Sequence, residues 1–312
     1  MILNLAFGEA EVHARADLAR SEDMIGSIRF RFTAASETLL DIARESDLGI
    51  MELQAANPGI DPWVPGEGVP IVLPTAHLLP EGPRRGIVVN LGDLRLYHFG
   101  KNSIVESFPI GVAREDFTTP HGTTTIVGKR VNPVWVLTES ERRDYTDLPP
   151  VVPPGPDNPL GKFALDLGWS SYAIHGTNKP WGVGRRVSRG CIRLYPEDIE
   201  QLFRQVTIGT PVTVVSQTVK LGWHAGDLYL EVHPTWEQLD ELDETGRFAP
   251  ENIPELRDAV LAEAGNEAGL VNWPLVYSIA RNRRGLPMRI TLRAQDLTSP
   301  ALDFDDATDP FD

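Results

Sequence analysis

The sequence predicts an α+β fold rich in strand: a small β-α-α-β module, a larger mixed β-sandwich or barrel-like domain, and a mixed helical C-terminal extension. Three observations point there. Short β-branched and aromatic runs recur between Gly-Asp and Gly-Lys-Asn turns in GIVVNLGDLRLYHFG, SIVESFPIG and TTTIVGK, the pattern of successive hairpins. Helical spacing is confined to short stretches. Finally, 27 Gly and 26 Pro mark many turns and argue against a helical bundle. A length of 312 residues suits about two domains at roughly 150 residues each. Apolar residues at 41% and charged residues at 23% are an ordinary globular balance with material for a sizeable core.

Taken in order, Met1–Ala10 (MILNLAFGEA) is apolar and ends in small residues, but no Lys or Arg precedes it. It reads either as the tail of a secretory signal or as an irregular N-terminus. From Ile28 the run IRFRF alternates apolar and charged residues, as a half-buried strand does. Ser36 precedes Leu39, Leu40, Ile42 and Ala43 as the N-cap of a helix, and Asp47-Leu48-Gly49 stops it. Ile50 to Ala56 is a second helix ending at Asn57-Pro58-Gly59, and Val69 to Leu73 is a second strand. The module so defined spans 26–78. His77–Arg85 reads as a Pro-containing linker into a β-rich domain over 85–216. Within it, Leu148–Gly161 (LPPVVPPGPDNPLG) has six prolines and excludes helix or central strand; it is either a rigid spacer or a fixed loop bordering a site. Ile192–Leu194 is strand-like. Pro196 opens a helix with Ile199, Leu202 and Phe203 on one face, and Thr210–Ser216 closes the domain. Residues 221–312 hold eleven of the fifteen net negative charges. A strand at Leu228–Val232, a polar helical stretch to about Ala264, the apolar run Leu270–Ile279 and the strand-like Met288–Leu292 predict a folded subdomain over 221–300. The tail 301–312 is predicted to be disordered.

A net charge of −15 argues against nonspecific binding to nucleic acid or an anionic membrane. No apolar run approaches the ~20 residues of a transmembrane helix. One cysteine, Cys191, excludes an internal disulfide, a redox pair and a Cys-rich zinc site. His175 lies sixteen residues before it, and each borders a strand-like run. A thiol attacks a carbonyl as thiolate and needs a base or a positive field, and histidine takes and returns that proton near neutral pH. Leu167–Pro196 holds Lys179, Arg185, Arg186, Arg189 and Arg193 and no acid, a field expected to lower the thiol pKa and to receive substrate carboxylates. The N–H groups of Gly190 and Cys191 are candidate oxyanion donors. A lone cysteine is also often a small buried core residue, so the residues alone leave both readings open. The alternation Leu228, Leu230, Val232 puts Glu231 and His233 on a solvent face, so no metal site is expected there, and none elsewhere.

Two segments resemble known families. ETLLDIARESDLGIMELQAANPGIDPWVPGEGVPIVLP is similar to a LysM module, through its apolar helix, its ANPG turn and its closing IVLP strand; the alternative is a small helix-on-hairpin domain with no ligand. HGTNKPWGVGRRVSRGCIRLYPEDI resembles the signature of the YkuD-type L,D-transpeptidase domain, a His-Gly-Thr segment followed by Ser-x-Gly-Cys-x-Arg. NLGDLRLYHF, FPIGVARE and TTPHGTTTIVGK are similar to its ErfK/YbiS-like branch, over roughly Arg85–Ser216.

The resemblance implies Cys191 as nucleophile, His175 as general base, the Gly176 carbonyl orienting the imidazole, and Gly190 lending an oxyanion N–H. It implies Ser188, Arg189, Arg193, Thr177 and Trp181 as substrate-side residues, although many members carry His where this chain has Arg189. The implied reaction is acyl transfer through a thioester. The stem tetrapeptide of peptidoglycan loses D-alanine, and an amine resolves the acyl-enzyme. That amine is either diaminopimelate, giving a cross-link, or a lysine of an outer-membrane lipoprotein. Peptidoglycan glycan is the implied ligand of the LysM-like module, the periplasm is the implied location, carbapenems are implied acylating agents, and no cofactor is needed. The alternatives are a carboxypeptidase-type cysteine hydrolase on the same residues and a non-catalytic peptidoglycan-binding protein.

Overall fold

The protein is described from a computed structural model that covers residues 22–293 and Asp296. Met1–Ala10 and the tail 301–312 lie outside the described residues. After β1 (Met24–Gly26), the N-terminal unit runs β2 (Arg29–Phe32), α1 (Leu39–Glu45), α2 (Ile50–Ala56) and β3 (Pro70–Leu73), with β2 and β3 antiparallel. Both predicted helices form, but Thr38, not Ser36, caps α1. Its hydroxyl accepts from the Asp41 N–H while the Asp41 carboxylate accepts from the Thr38 N–H. This reciprocal capping box satisfies two orphan donors. Asn57 ties the end of α2 to β3, donating to the Leu53 and Val72 carbonyls and accepting from the Val72 N–H.

The predicted inward face of β2 is reversed. Phe30 and Phe32 are 75% and 70% exposed, while Arg31 is held by Glu37 and Glu45. The helices already cover the face that carries Ile71 and Leu73, and the arginine stem with its acidic partners fills the remaining space there.

The linker expected from His77 is in part a strand. β4 (Ala76–Leu78) is buried and pairs with β1. Beyond it, β5 (Gly86–Asn90), β6 (Arg95–Phe99) and β7 (Val105–Pro109) form the expected antiparallel meander. They join an eight-stranded mixed sheet with β9 (Gly122–Val131), β12 (Phe163–Leu167), β13 (Ala173–His175), β15 (Ile192–Arg193) and β16 (Pro211–Val215), in the order β15-β13-β12-β9-β16-β5-β6-β7. β9 is the corner strand. Its first half pairs with β16 and its second half with β12, beside a register shift at Asp166/Leu167. A long strand shared in this way lets one half of the sheet turn across the other. The helix α4 (Pro196–Gln205) buries Ile199 and Leu202 and packs on β12. Short β8 (Val112–Ala113) pairs with β14 (Arg186–Ser188), and β10 (Trp135–Val136) pairs with β11 (Val151–Val152) beside α3 (Glu139–Asp144).

The C-terminal part is folded through β19. β17 (Val219–His224), β18 (Asp227–Val232) and β19 (Met288–Arg289) form a sheet. It shares a separate core with α6 (Leu256–Ala264) and α7 (Trp273–Asn282). α5 (Trp236–Thr245) instead sends Leu239 and Leu242 into the main core, together with Leu39, Ile42 and Leu53 of the N-terminal unit and Ile87, Leu165 and Val212 of the large sheet.

The three parts also meet at a buried charge cluster. Lys220 Nζ lies 2.8 Å from Asp93 Oδ2 and 2.7 Å from Glu231 Oε1, and it donates to the Leu78 carbonyl. Glu231 contacts His233 Nε2 at 2.6 Å. Arg95 contacts Glu52 at 2.7 Å, all within the interior. Glu231 and His233 therefore do not face solvent as the alternation suggests, because β4 packs against β18 and the Leu78 N–H and Lys220 bind Glu231. Asp93, Glu231 and His233 could converge on a metal ion, but the Lys220 ammonium already occupies the space between the two carboxylates. Burial alone would lower the Lys220 pKa; Asp93 and Glu231 outweigh it and hold it above its usual value. Removing one partner of such a group strands buried charge. Lys220→Met is expected to lose about 3–5 kcal/mol in chemical denaturation, and a loss under about 1 kcal/mol would contradict this role.

Candidate active site

β13 and β15 are adjacent parallel strands with Ile174 opposite Ile192 and His175 opposite Arg193. Ile174 and Ile192 point into the core. Strand alternation therefore turns Ala173, His175, Cys191 and Arg193 to the other face. This pairing brings together two residues sixteen apart in sequence.

His175 is 3% exposed, and its Nδ1 lies 2.6 Å from the Gly176 carbonyl. A carbonyl only accepts, so Nδ1 carries the proton and Nε2 keeps a lone pair. Burial first, and then the Arg193 charge, push the imidazole pKa down to about 3, against the pull of the Gly176 and Leu160 carbonyls. The ring is neutral at neutral pH.

Cys191 departs from expectation. Its Sγ lies 3.7 Å from the Ser171 carbonyl. Burial raises its pKa above the ordinary thiol value of 9.0, although the Ala173 N–H, Arg193 and Arg130 pull it down. Burial outweighs the positive neighbours here, and much of the local field is paired. Arg185 pairs with Asp243, Arg186 with Asp240, and Arg189 with Asp144 and Ser140; Arg130 is bidentate to Asp166. Arg193 differs, its Nε being buried without a hydrogen-bond partner.

The turn that carries Cys191 is fixed by its own backbone and by two hydroxyls. Gly190 has φ +119°, and a Cβ there would lie 2.7 Å from the Tyr172 ring. The Ser188 hydroxyl donates to the Cys191 carbonyl at 2.6 Å and accepts from the Gly190 N–H at 3.1 Å. Thr119 donates to the Gly190 carbonyl. The Gly190 N–H is thus engaged and does not face an oxyanion site, and Ser188 shapes the turn instead of pointing at substrate.

Other expected substrate residues also lie elsewhere. Thr177 is buried and accepts from the Lys179 N–H in a turn. Arg189 is held against α3 and stacks over Phe117 at 4.5 Å. Trp181 is 56% exposed and lines a groove of about 560 Å³ with Trp63, Leu40, Ile50 and Tyr195, away from Cys191.

The proline-rich segment is the fixed loop of the two readings. Asn158 is buried and donates to the carbonyls of Pro133, Val152 and Pro153, and Leu160 brings its carbonyl to His175. Asn158 was legible as a lone amide among six prolines, where unpaired carbonyls accumulate. Ser171, Thr119 and Asp144 carried no comparable signal.

The L,D-transpeptidase catalytic domain (YkuD) matches residues 84–214. "Probable L,D-transpeptidase YcfS" of Escherichia coli is 43% identical over 80% of this chain and 79% of its own length. "Probable L,D-transpeptidase ErfK/SrfK" of Salmonella typhimurium is 37% identical over 82% of this chain and 83% of its own. "Probable L,D-transpeptidase YbiS" of Escherichia coli is 35% identical over 80% and 81%.

With the thiol raised and the imidazole neutral, only the rare thiolate reacts. Alkylation of Cys191 by iodoacetamide, read by intact mass, is expected to accelerate about tenfold per pH unit between roughly pH 6.5 and 8.5. A rate already level near pH 7 would indicate a resting thiolate–imidazolium pair instead.

Proposed function

Since the chain belongs to the YkuD family of L,D-transpeptidases, we propose that it is a peptidoglycan L,D-transpeptidase working through a thioester on Cys191. The observation that supports this reading best is the shared face of β13 and β15, which carries neutral His175, Cys191 and Arg193, whose buried Nε has no hydrogen-bond partner. His175 Nε2 takes the thiol proton as Sγ attacks the carbonyl of the third stem residue. Because neither group is charged at rest, proton transfer accompanies attack. The amide C–N bond to the terminal D-alanine breaks, and the imidazolium returns the proton to the departing amine. An acceptor amine then attacks the thioester and gives its proton to His175; the C–S bond breaks, and the imidazolium returns that proton to Sγ to restore the thiol. The Cys191 N–H is the oxyanion donor in this reading, since the Gly190 N–H is taken by Ser188. Arg193 receives a substrate carboxylate.

The N-terminal unit is read as a LysM module that holds the glycan. The Trp63–Trp181 groove suits a sugar chain, because exposed indoles offer flat amphipathic faces. Location in the periplasm goes with this substrate. Among the described residues, no helix is long and apolar enough to cross a membrane. The acceptor is a second diaminopimelate or a lysine of an outer-membrane lipoprotein.

Exposure to a carbapenem is expected to add one drug mass to the protein. Cys191→Ala is expected to abolish the adduct, and His175→Ala to slow it about 10²–10⁴-fold. No adduct on folded protein, or one that survives Cys191→Ala, overturns the reading. In a pull-down on purified glycan strands, Trp63→Ala and Trp181→Ala are each expected to weaken retention about tenfold; unchanged retention removes the groove from the account.

A further inference from the structure

The segment between His175 and Cys191 is gripped by a helix outside the matched domain. We propose that Asp240 and Asp243 of α5 are positioning residues that hold the nucleophile's turn through Arg186 and Arg185. The kinetic consequence rests on the thioester reading above; the structural one does not.

Arg185 Nη2 lies 2.9 Å from Asp243 Oδ1, and Arg186 Nη1 lies 2.9 Å from Asp240 Oδ2. The Arg186 guanidinium also sits 4.9 Å above the Trp236 ring. Asp240 and Asp243 are three apart, so one helix face presents both. The arginines are largely sheltered and the aspartates partly exposed, and the doubled contact with a stacked indole exceeds an isolated surface pair. The helix is itself fixed. Leu239 and Leu242 are buried in the main core, Thr235 and Gln238 form a capping box, and Gln238 accepts from Arg283 at 2.8 Å.

The grip is passed along a short, bonded path. The Arg185 carbonyl accepts from the Val112 N–H, the Ser188 carbonyl accepts from the Arg114 N–H, and Ser188 closes the turn onto Cys191. Next in the chain, Gly184 packs so closely on Gly49 of the N-terminal unit that a Cβ on either would meet the other's backbone. Without the two aspartates, adjacent Arg185 and Arg186 would repel each other, and the strand carrying Ser188 would lose its hold on α5. The acidic C-terminal extension therefore neutralises the basic loop and fixes the position from which Sγ attacks, and a displacement near 1 Å there is costly to the reaction.

The test is hydrogen exchange and steady-state kinetics on the full chain. In Asp240→Asn/Asp243→Asn, amides of residues 184–190 are expected to exchange at least about tenfold faster. Transfer from tetrapeptide stems to an acceptor amine is expected to lose about tenfold or more in kcat, with KM within about twofold. Charge reversal, Arg185→Asp/Arg186→Asp with Asp240→Arg/Asp243→Arg, is expected to recover most of both. Should the double variant not fold, the single variant Asp243→Asn decides: amides of residues 184–190 are expected to exchange several-fold faster than in the unmodified enzyme. Unchanged exchange at 184–190 in a folded variant, kcat within about twofold, or failure of a folded reversal variant to recover overturns the proposal. If the unmodified protein transfers nothing, the transpeptidase reading fails, while exchange at 184–190 still decides the grip.

Discussion

Lys220 brings a full positive charge into the middle of the molecule, and the parts of the chain are arranged so that it can stay there. Asp93 comes from the turn between β5 and β6, Glu231 from the C-terminal sheet, and the Leu78 carbonyl from the strand that leaves the N-terminal unit. Beside it, Arg95 binds Glu52 of α2. A buried ion of this kind is tolerable only when every partner is present at once. The cluster therefore favours one arrangement of three segments that would otherwise be joined mainly by apolar contact, which is less particular about orientation.

The reacting centre lies in the same interior and is governed by the same physics with the opposite outcome. Lys220 is buried with two counter-charges and stays ionised. His175 is buried with no acidic partner and Cys191 is half-buried with only the distant pull of Arg193 and Arg130, and desolvation favours the neutral form of both. Arg193 reinforces neutrality at His175 and opposes it at Cys191. A thiol held in reserve in this way is less exposed to adventitious oxidation than a standing thiolate.

Local patterns were legible where local physics decides them. The hairpins, the helix Ile50–Ala56, the Pro196 helix start and the folding of the C-terminal segment could all be read from spacing and turn residues, and the placing of His175 and Cys191 on one sheet face follows from the strand-like runs beside them. The misreadings share a cause: each depended on a partner distant in sequence. Glu231 and His233 alternate like solvent-facing residues because Asp93 and Lys220, which satisfy them, lie elsewhere in the chain. The five bases near Cys191 suggested an open positive cleft, but Asp144, Asp240 and Asp243 cancel three of them. The Gly190 N–H was assigned outward because nothing in the sequence says that Ser188 turns back to take it. Phe30 and Phe32 point outward because the space beneath β2 goes to an arginine with two acids.

The account stands most directly on the fate of the acyl group. Rapid quenching of the enzyme with a tetrapeptide stem, followed by intact-mass and peptide mapping, is predicted to find the tripeptide acyl group on Cys191, formed with loss of D-alanine and discharged onto an added acceptor amine. D-alanine release with no acyl group on Cys191, or an acyl group carried by any other residue, would contradict it.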